Sequence, residues 1–489
     1  MNADAFPKEI KNHLFYFVGI KGTGMAALAE LLFRLGAKIT GSDVADTFYT
    51  DGVLRNLGIP FFEGFDSRQV PADAVLVVYS AAYPPDKHPE LLRAGELGLP
   101  LMSYAEALGA FSRRMPFAGI AGVHGKTTTT ALAGALVREL GLAGSVLAGS
   151  AVSSFDGYST WAGGDEFFIA ETCEYRRNFL AFRPRWIILT SVEEDHLDYF
   201  RDYEDIRGAF LEYCRNMEHA GALIYCADDR GACEVARGIC RERPDLRPIP
   251  YGRTAGGGYC VGCVREEPGL TAFRLAGMDA DFEIRIPGLH TVLNAAAAVA
   301  LVQTIQTDLA KTLPQKPAGA ELFAKAIAAF RGSKRRSEIL GEADGILFMD
   351  DYAHHPTALK TTLRGLRSFY PGRRIVADFM SHTYSRTAAL LDEFAASFAC
   401  ADLIVLHKIY ASARETNRGG ISGKDLFEKT RKAHPRAVYF EEVMDAAPYL
   451  KSRLKAGDLF ITLGAGDNWQ LGKKLFDELR GGISRGAAS

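Results

Sequence analysis

Gly125-Lys126-Thr127 closes the stretch "GIAGVHG" and is followed by three more threonines. Glycines at 119, 122 and 125 let a backbone wrap without Cβ clashes, so that several N–H groups can converge on phosphate oxygens where a helix begins. Lys126 there supplies a point charge for outer phosphates and Thr127 a hydroxyl for magnesium, with His124 and Thr128 on either side. The pattern is not the full G-x-x-x-x-G-K-[ST] signature, because Ile120 holds the position of its first glycine. A glycine turn with a chance Gly-Lys-Thr is the competing reading. The apolar strand before it and the apolar helix after it favour the phosphate cradle.

Two acid-rich segments follow apolar runs: Glu171 and Glu174 after "EFFIA", and Glu193, Glu194, Asp195, His196 and Asp198 after "RWIIL". Magnesium takes oxygen ligands and tolerates one imidazole, and strand ends beside a phosphate loop are where such groups converge in an α/β sheet. Taken singly, each acid reads more readily as a solvated charge than as a ligand. Glu171 and His196 are the better metal ligands, since each closes or closely follows its strand. Further along, "MDDYAHHPT" sets Asp350, Asp351, His354 and His355 together in a metal-like cluster. Pro356 starts a helix at once and no distant third ligand stands out, so hydrogen bonding around substrate or nucleotide is the better reading. The run "RGSKRR", residues 331 to 336, is either a solvated face or a phosphate contact. Cys260-x-x-Cys263 lies in an alternating stretch and reads as ordinary strand residues.

The elements that must carry these groups alternate strand and helix. Leu14 to Val18 is a short apolar strand, "GIKGTGMAA" a glycine turn, Met25 to Leu35 a helix ended by Gly36, and Asp43 an acid nineteen residues beyond Gly24. Gly22, Thr23 and Gly24 with that acid make an acceptable dinucleotide fingerprint, which read alone predicts NAD or a similar ligand. The strand "DAVLVVYS" exits at Ser80. A second α/β unit begins at Phe117 and includes an alanine-rich helix after "PGLHTVLN", with "KTLPQKPAG" as a surface loop, and a third begins near residue 330. The expected domains are 1–115, 116–329 and 330–489.

With 489 residues the chain is long enough for several domains, each with its own core. A hydrophobic share of 48% argues against disorder, and a net charge of −2 gives no bulk attraction to nucleic acid or anionic membrane. Eight scattered cysteines without a basic-then-apolar leader point to a reducing cytoplasm, and no uninterrupted apolar run reaches membrane-spanning length. No G-x-S-x-G or H-E-x-x-H is present.

The order and spacing of "FVGIKGTGMAALAELL" with "GSD", "AGVHGKTTTTALAG", "ETCEYRRNF", "EEDHLDYF", "PGLHTVLNAAAAVA", "FRGSKRR", "DDYAHHPT", "IYASARE" and "GDLFITLGAGDNW" resemble the Mur ligase family over essentially the whole chain. The resemblance implies an α/β three-domain Mur ligase architecture: a Rossmann-like N-terminal domain for a UDP-sugar, a P-loop ATPase-like central domain, and a Rossmann-like C-terminal domain that closes over the site. It implies ATP and Mg2+, and ligation of L-alanine to the lactyl carboxylate of UDP-N-acetylmuramic acid through an acyl phosphate, by a cytoplasmic monomer or weak homodimer that binds neither nucleic acid nor membrane. The alternatives are attachment of a tripeptide to the same sugar nucleotide, of another small amino acid, or a non-catalytic precursor-binding protein.

Carried over by motif, Gly22, Thr23 and Gly24 would face the diphosphate, with Asp43 and Ser80 lining that cleft. Gly122, His124, Gly125, Lys126, Thr127 and Thr128 would hold ATP phosphates, with Thr127, Glu171 and His196 on metal. His290 and Asn294 would meet the nucleotide, Asn294 at the adenine, and Arg335 and Asp351 would lie near it. Lys126, Glu174, His354 and Arg386 would be catalytic, and Tyr410 and Arg414 would sit on the amino-acid side. Three departures stand out. The family's "E-A-D-E-S-D" is Glu171-Thr172-Cys173-Glu174-Tyr175-Arg176, the "R-F-T-R-T" block is Thr383-Tyr384-Ser385-Arg386-Thr387, and Lys21 replaces a glycine of the first turn. Arg176 or Arg177 is expected to turn into the cleft and restore positive charge there.

Overall fold

The computed structural model describes residues 6–196, 199–311, 318–411 and 420–486. Most of the "KTLPQKPAG" loop, Asp198 and Arg414 therefore lie outside the described residues.

Three parallel-rich sheets follow one another along the chain. The first has five parallel strands in the spatial order Phe61–Glu63, Lys38–Asp43, Leu14–Val18, Leu76–Tyr79, Leu101–Ser103. The strand order reverses between Leu14–Val18 and Leu76–Tyr79, so the turn at Gly19–Gly24 and the exit at Ser80 face one crevice, the place where open α/β sheets bind ligands. The helix Thr23–Arg34 buries its apolar residues against this sheet, but its Glu30 is also fully buried. That carboxylate accepts from Ser159 N at 3.0 Å and from the Thr160 hydroxyl at 2.5 Å, on the strand Tyr158–Ala162 of the next domain. A buried acid satisfied in this way fixes the first domain to the second.

The seven-stranded central sheet runs Arg247–Tyr251, Ala222–Cys226, Trp186–Leu189, Phe117–Ala121, Phe167–Glu171, Gly144–Val152, Tyr158–Ala162, with only the last strand antiparallel. Phe117–Ala121 lies between Trp186–Leu189 and Phe167–Glu171. Their C-terminal ends therefore bring the phosphate loop, the 191–196 acids and Glu171 to one edge, although up to some 75 residues separate them in sequence. The helix Leu289–Leu309 packs on the helix Lys126–Glu139. Among the described residues it alone is long and apolar enough to cross a membrane by length and composition, and 78% of its most apolar window is buried within the protein. Val261–Glu267, Leu270–Leu275 and Asp281–Ile284 form a small antiparallel sheet beside it.

The third sheet runs Glu338–Ala343, Ile346–Asp351, Asp458–Leu463, Arg374–Phe379, Leu403–Leu406, Ala437–Tyr439, with only the first strand antiparallel. It has an apolar core on each face. Asp350 and Asp351 end its second strand and point the domain's polar edge at the central sheet.

Candidate functional site

The phosphate loop explains its own missing glycine. Ile120 is fully buried inside the strand Phe117–Ala121, in register with Ile188 and Glu171, so that position is core and needs no special backbone. The turn rests on Gly122 at φ 131° and Gly125 at φ 82°, both in the left-handed region. A Cβ on Gly122 would strike the Thr190 hydroxyl, and one on Gly125 would lie 2.7 Å from Asn294 Oδ1. Two neighbours brace the loop: the Thr190 hydroxyl donates to His124 O at 2.5 Å, and His124 N donates to Ser191 Oγ at 3.0 Å.

Lys126 opens the following helix, and its ammonium donates to Glu174 Oε2 at 2.8 Å and Oε1 at 3.1 Å, to Val123 O at 3.4 Å and to Gly122 O. Burial alone would push the Glu174 carboxyl up; Lys126 and His196 outweigh it and hold the group below its ordinary range. Burial likewise lowers the Lys126 ammonium, but Glu174 raises it further, so both partners stay charged. His196 Nε2 lies 3.6 Å from Glu174 Oε1, with the Tyr175 ring 4.6 Å away. The Thr127 hydroxyl donates to Glu171 Oε2 at 3.0 Å while Gly149 N donates to Glu171 Oε1. Burial leaves Glu171 above its usual carboxylate range.

The third domain closes the other side. Arg336 Nη2 reaches Thr127 Oγ1 at 3.3 Å, and Arg386 Nη2 donates to Asp195 Oδ1 at 2.8 Å, a pair that is almost wholly buried. Burial would raise Asp195, but His196 and Arg386 reverse this and hold it far on the ionised side. His354 Nδ1 lies 2.8 Å from the carbonyl of Tyr352, which can only accept. The neutral ring thus carries its proton on Nδ1 and keeps a lone pair on Nε2. Burial, then Arg386, pushes His354 well below the ordinary histidine value. Burial with His124 nearby takes His290 and His355 each down to about 4.

These groups line one cavity of about 750 Å³ between the central and third domains. His124, Gly125, Lys126, Thr127 and Thr128 form its phosphate wall, and Glu171, Glu174 and His196 stand beside them. His290, Asn294, Asp351, His354 and Arg386 complete it. Gly122 turns the loop but does not line the cavity. Gly22, Thr23, Gly24 and Ser80 belong to the separate crevice of the first sheet, and Tyr410 faces it from the third domain, where Asp46 is among the charges acting on its hydroxyl.

Several expected residues have other duties. Asp43 is 4% exposed and accepts from Lys21 N at 2.6 Å and Val44 N at 2.8 Å, so its carboxylate holds the glycine turn from beneath. Arg335 is turned from the cavity: its guanidinium donates to Asp350 at 2.9 Å and to Gly464 O at 2.7 Å. Positive φ at Arg335 and Ser337 twists the segment so that the neighbouring Arg336, which sequence reasoning did not single out, enters the cavity. Arg177 does not restore charge to the cleft, because Asp205 at 2.7 Å and Glu212 at 2.8 Å hold it on the helix Tyr203–Arg215. Arg176 lies over the Tyr175 ring and is not part of the cavity wall.

His124, Glu193 and His355 were also missed as a group, although their ligating atoms cluster within 4.8 Å. His355 Nδ1 caps its helix by accepting from Thr357 N at 3.3 Å, which puts the neutral ring's proton on Nε2 and makes that atom a donor, not a ligand. The bridge between domains here runs through Glu193, which lies 2.6 Å from His124 Nε2 and accepts from the Thr357 hydroxyl at 3.3 Å, while the buried His355 Nε2 makes no hydrogen bond among the described residues.

Family models match each part of the chain: "Mur ligase family, catalytic domain" over residues 14–115, "Mur ligase middle domain" over 120–302 and "Mur ligase, glutamate ligase domain" over 335–466. The UDP-N-acetylmuramate–L-alanine ligase of Treponema pallidum (strain Nichols) is 50% identical over 477 residues, 98% of this chain and 99% of that protein. The protein of the same name from Borreliella burgdorferi is 39% identical over 463 residues, 94% of this chain and 97% of its own length. In fold, the chain is similar to the crystal structure of the UDP-N-acetylmuramate-alanine ligase from Thermotoga maritima, with TM-score 0.76 at 24% identity over 96% of this chain and 99% of that one. It is also similar to a murein peptide ligase from Psychrobacter arcticus, with TM-score 0.67 at 23% identity over the same shares.

Proposed function

The chain belongs to the Mur ligase family, and on that footing we propose that it joins L-alanine to the lactyl carboxylate of UDP-N-acetylmuramic acid at the expense of ATP, giving ADP and phosphate, in peptidoglycan precursor synthesis. The observation that carries the reading is 50% identity spread over 98% of the chain to a ligase of that name, which takes in all three domains. We divide the chain at 1–115, 116–329 and 330–489 and place the enzyme in the cytoplasm, where ATP and the nucleotide sugar are available.

The residues at the cavity fit a nucleotide and a hard cation. The loop has no room for a Cβ at Gly125, and Thr127, Glu171 and His196 offer a hydroxyl, a carboxylate and an imidazole at one strand edge. Thr127 and Glu171 would hold one Mg2+ and Glu171 with His196 a second, and such ions would supply positive charge that neutralises the transferring phosphoryl group. Lys126 exchanges its Glu174 partner for phosphate oxygens, and Arg336, entering from the third domain, adds positive charge opposite it. By the family's pattern Asn294 would meet the adenine, with His290 and Asp351 also near the nucleotide; all three line the cavity. His354, neutral and with its Nε2 lone pair open, accepts the proton that the alanine nitrogen becomes acidic enough to lose as it attacks the acyl phosphate. Arg386, anchored to Asp195, sits beside that ring. The closed arrangement excludes water, which would otherwise hydrolyse the acyl phosphate.

Phosphate release in the presence of ATP, Mg2+ and UDP-N-acetylmuramic acid tests the assignment when L-alanine is compared with glycine, L-serine and the L-alanyl-γ-D-glutamyl tripeptide. Turnover should be greatest with L-alanine. Turnover confined to the tripeptide, or absent with every amine, would overturn it.

A further inference from the structure

Lys21 stands where the glycine turn of the first domain would ordinarily carry another glycine, yet it is 1% exposed. All three N–H donors of its ammonium have somewhere to go. They reach Val44 O at 3.0 Å, Asp46 O at 3.1 Å and the Asp51 carboxylate at 3.3 Å, with Glu63 at 3.6 Å and the Phe61 ring 5.2 Å away. Its backbone is engaged too, since Lys21 N donates to Asp43 and Lys21 O accepts from the Thr50 hydroxyl at 2.5 Å. One buried side chain thus ties the phosphate-facing turn to the loop 44–48, whose residues Ala45 to Phe48 are otherwise exposed. Directly after that loop comes Tyr49, the first residue of the helix Tyr49–Asn56.

The Tyr49 hydroxyl is buried and makes no hydrogen bond of good geometry among the described residues, although Thr23 stands beside it. Its other electrostatic neighbours are Tyr352 and Arg335 of the third domain and Glu171 of the central one, so it sits where all three domains meet. Burial pushes it up to about 12, which leaves it a proton donor across the working pH range. A buried donor without a partner, beside the turn that faces the nucleotide sugar, calls for an acceptor from the substrate.

Resting on the function proposed above, we propose that Lys21 is a positioning residue for nucleotide-sugar binding. Its ammonium fixes the loop 44–48 and so aims the Tyr49 hydroxyl at an anionic oxygen of the bound nucleotide sugar, on the diphosphate or on the lactyl carboxylate.

The test is calorimetric binding of UDP-N-acetylmuramic acid and of UDP-N-acetylglucosamine, which lacks the lactyl group, to the full chain and to Tyr49→Phe, Lys21→Met and the double variant, alongside steady-state ligation. Tyr49→Phe should weaken UDP-N-acetylmuramic acid roughly five- to tenfold, the worth of one hydrogen bond, and raise its KM while leaving kcat and the KM for ATP within about twofold. Equal weakening of both sugar nucleotides assigns the diphosphate, and weakening of the muramic acid compound alone assigns the carboxylate. Lys21→Met should reproduce the KM effect, and adding Tyr49→Phe to it should cost little more. Lys21→Arg, which keeps the charge if the methionine variant does not fold, should retain most of the affinity. Unchanged binding in Tyr49→Phe, or independent multiplication of the two effects, overturns the inference. Failure of the parent chain to bind UDP-N-acetylmuramic acid overturns the proposed function instead.

Discussion

Replacing Glu174 with glutamine isolates what the phosphate loop does before nucleotide arrives. The Lys126–Glu174 pair is 2.8 Å long, with side chains 15% and 2% exposed. At that distance and an effective dielectric near 20 the gross attraction is about 6 kcal/mol, most of it offset by the cost of taking both charges out of water. Glutamine keeps the shape and one neutral acceptor but leaves Lys126 a buried cation that has lost its paired carboxylate, held by that amide oxygen and the Gly122 and Val123 carbonyls. The net loss should fall at the low end of the range for breaking a buried pair, about 3 kcal/mol. For a domain of roughly 200 residues that is a drop in Tm of about 6 to 12 °C. ATP with Mg2+ then supplies the anion that glutamine lacks. In the parent, Lys126 must leave Glu174 to reach phosphate; in Glu174→Gln it need not. Differential scanning fluorimetry with and without nucleotide should therefore show a larger stabilisation by ATP in the variant than in the parent. A variant that melts within 2 °C of the parent, or nucleotide shifts equal in both proteins, would refute the view that Glu174 holds Lys126 in readiness.

Gly149→Ala should act through Glu171, because the new Cβ would lie 2.6 Å from Glu171 Oε1 and displace a carboxylate that Thr127 also holds. A Mg2+ titration of ligation should show the half-saturating concentration raised roughly tenfold or more, as when a group supporting a metal ligand is moved. Asp195→Asn removes the anion that receives Arg386 from the third domain at 2.8 Å. Solution scattering without nucleotide should show a larger radius of gyration, and an unchanged one would mean that other contacts suffice for closure. The histidines predict a pH response. His290 and His355, held at about 4 in the fold against about 6.5 when unfolded, are neutral in both states above pH 7. As pH falls from 6.5 to 4, only the unfolded chain takes up these protons, so stability is lost by up to about 1.4 kcal/mol per pH unit for each group. His290→Gln should flatten the Tm-against-pH curve in that window and leave it unchanged above pH 7.

What was legible in the sequence is what backbone chemistry alone dictates. Gly122 and Gly125 had to be glycines, since a left-handed turn and a neighbour's polar atom both exclude a Cβ. Glu171 and His196 could be found because acids after apolar strands collect at one sheet edge. Choices between adjacent residues were not legible. Arg335 and Arg336 have the same chemistry, and only the positive φ values around them decide that the first pairs with Asp350 while the second meets Thr127. Asp43, at the end of the strand Lys38–Asp43, was expected to line the substrate cleft, but nothing in a fingerprint says that Lys21 N and Val44 N use its oxygens. Arg177 failed as a cleft cation for a related reason: Asp205 at 2.7 Å and Glu212 at 2.8 Å, on a helix some thirty residues later, hold its guanidinium.

Three side-chain contacts between the third and central domains share a property that bears on how the ligase closes. Arg336 meets Thr127, Arg386 meets Asp195, and the Thr357 hydroxyl meets Glu193. Each joins the third domain to a strand end of the central sheet that also carries the phosphate loop or the metal acids. Backbone contacts elsewhere, Gly269 N to Phe369 O at 3.1 Å and Lys334 N to Ala151 O at 2.8 Å, also join the two domains, but the three side-chain contacts depend on the loop and the acids being in place, and Thr127 belongs to the set that nucleotide and Mg2+ would claim. Binding therefore does not have to create the closed state. It substitutes ligand charge for part of an interface already complementary to it, so closing and completing the catalytic constellation become one equilibrium, and a variant that loosens the interface should lose nucleotide affinity and closure together.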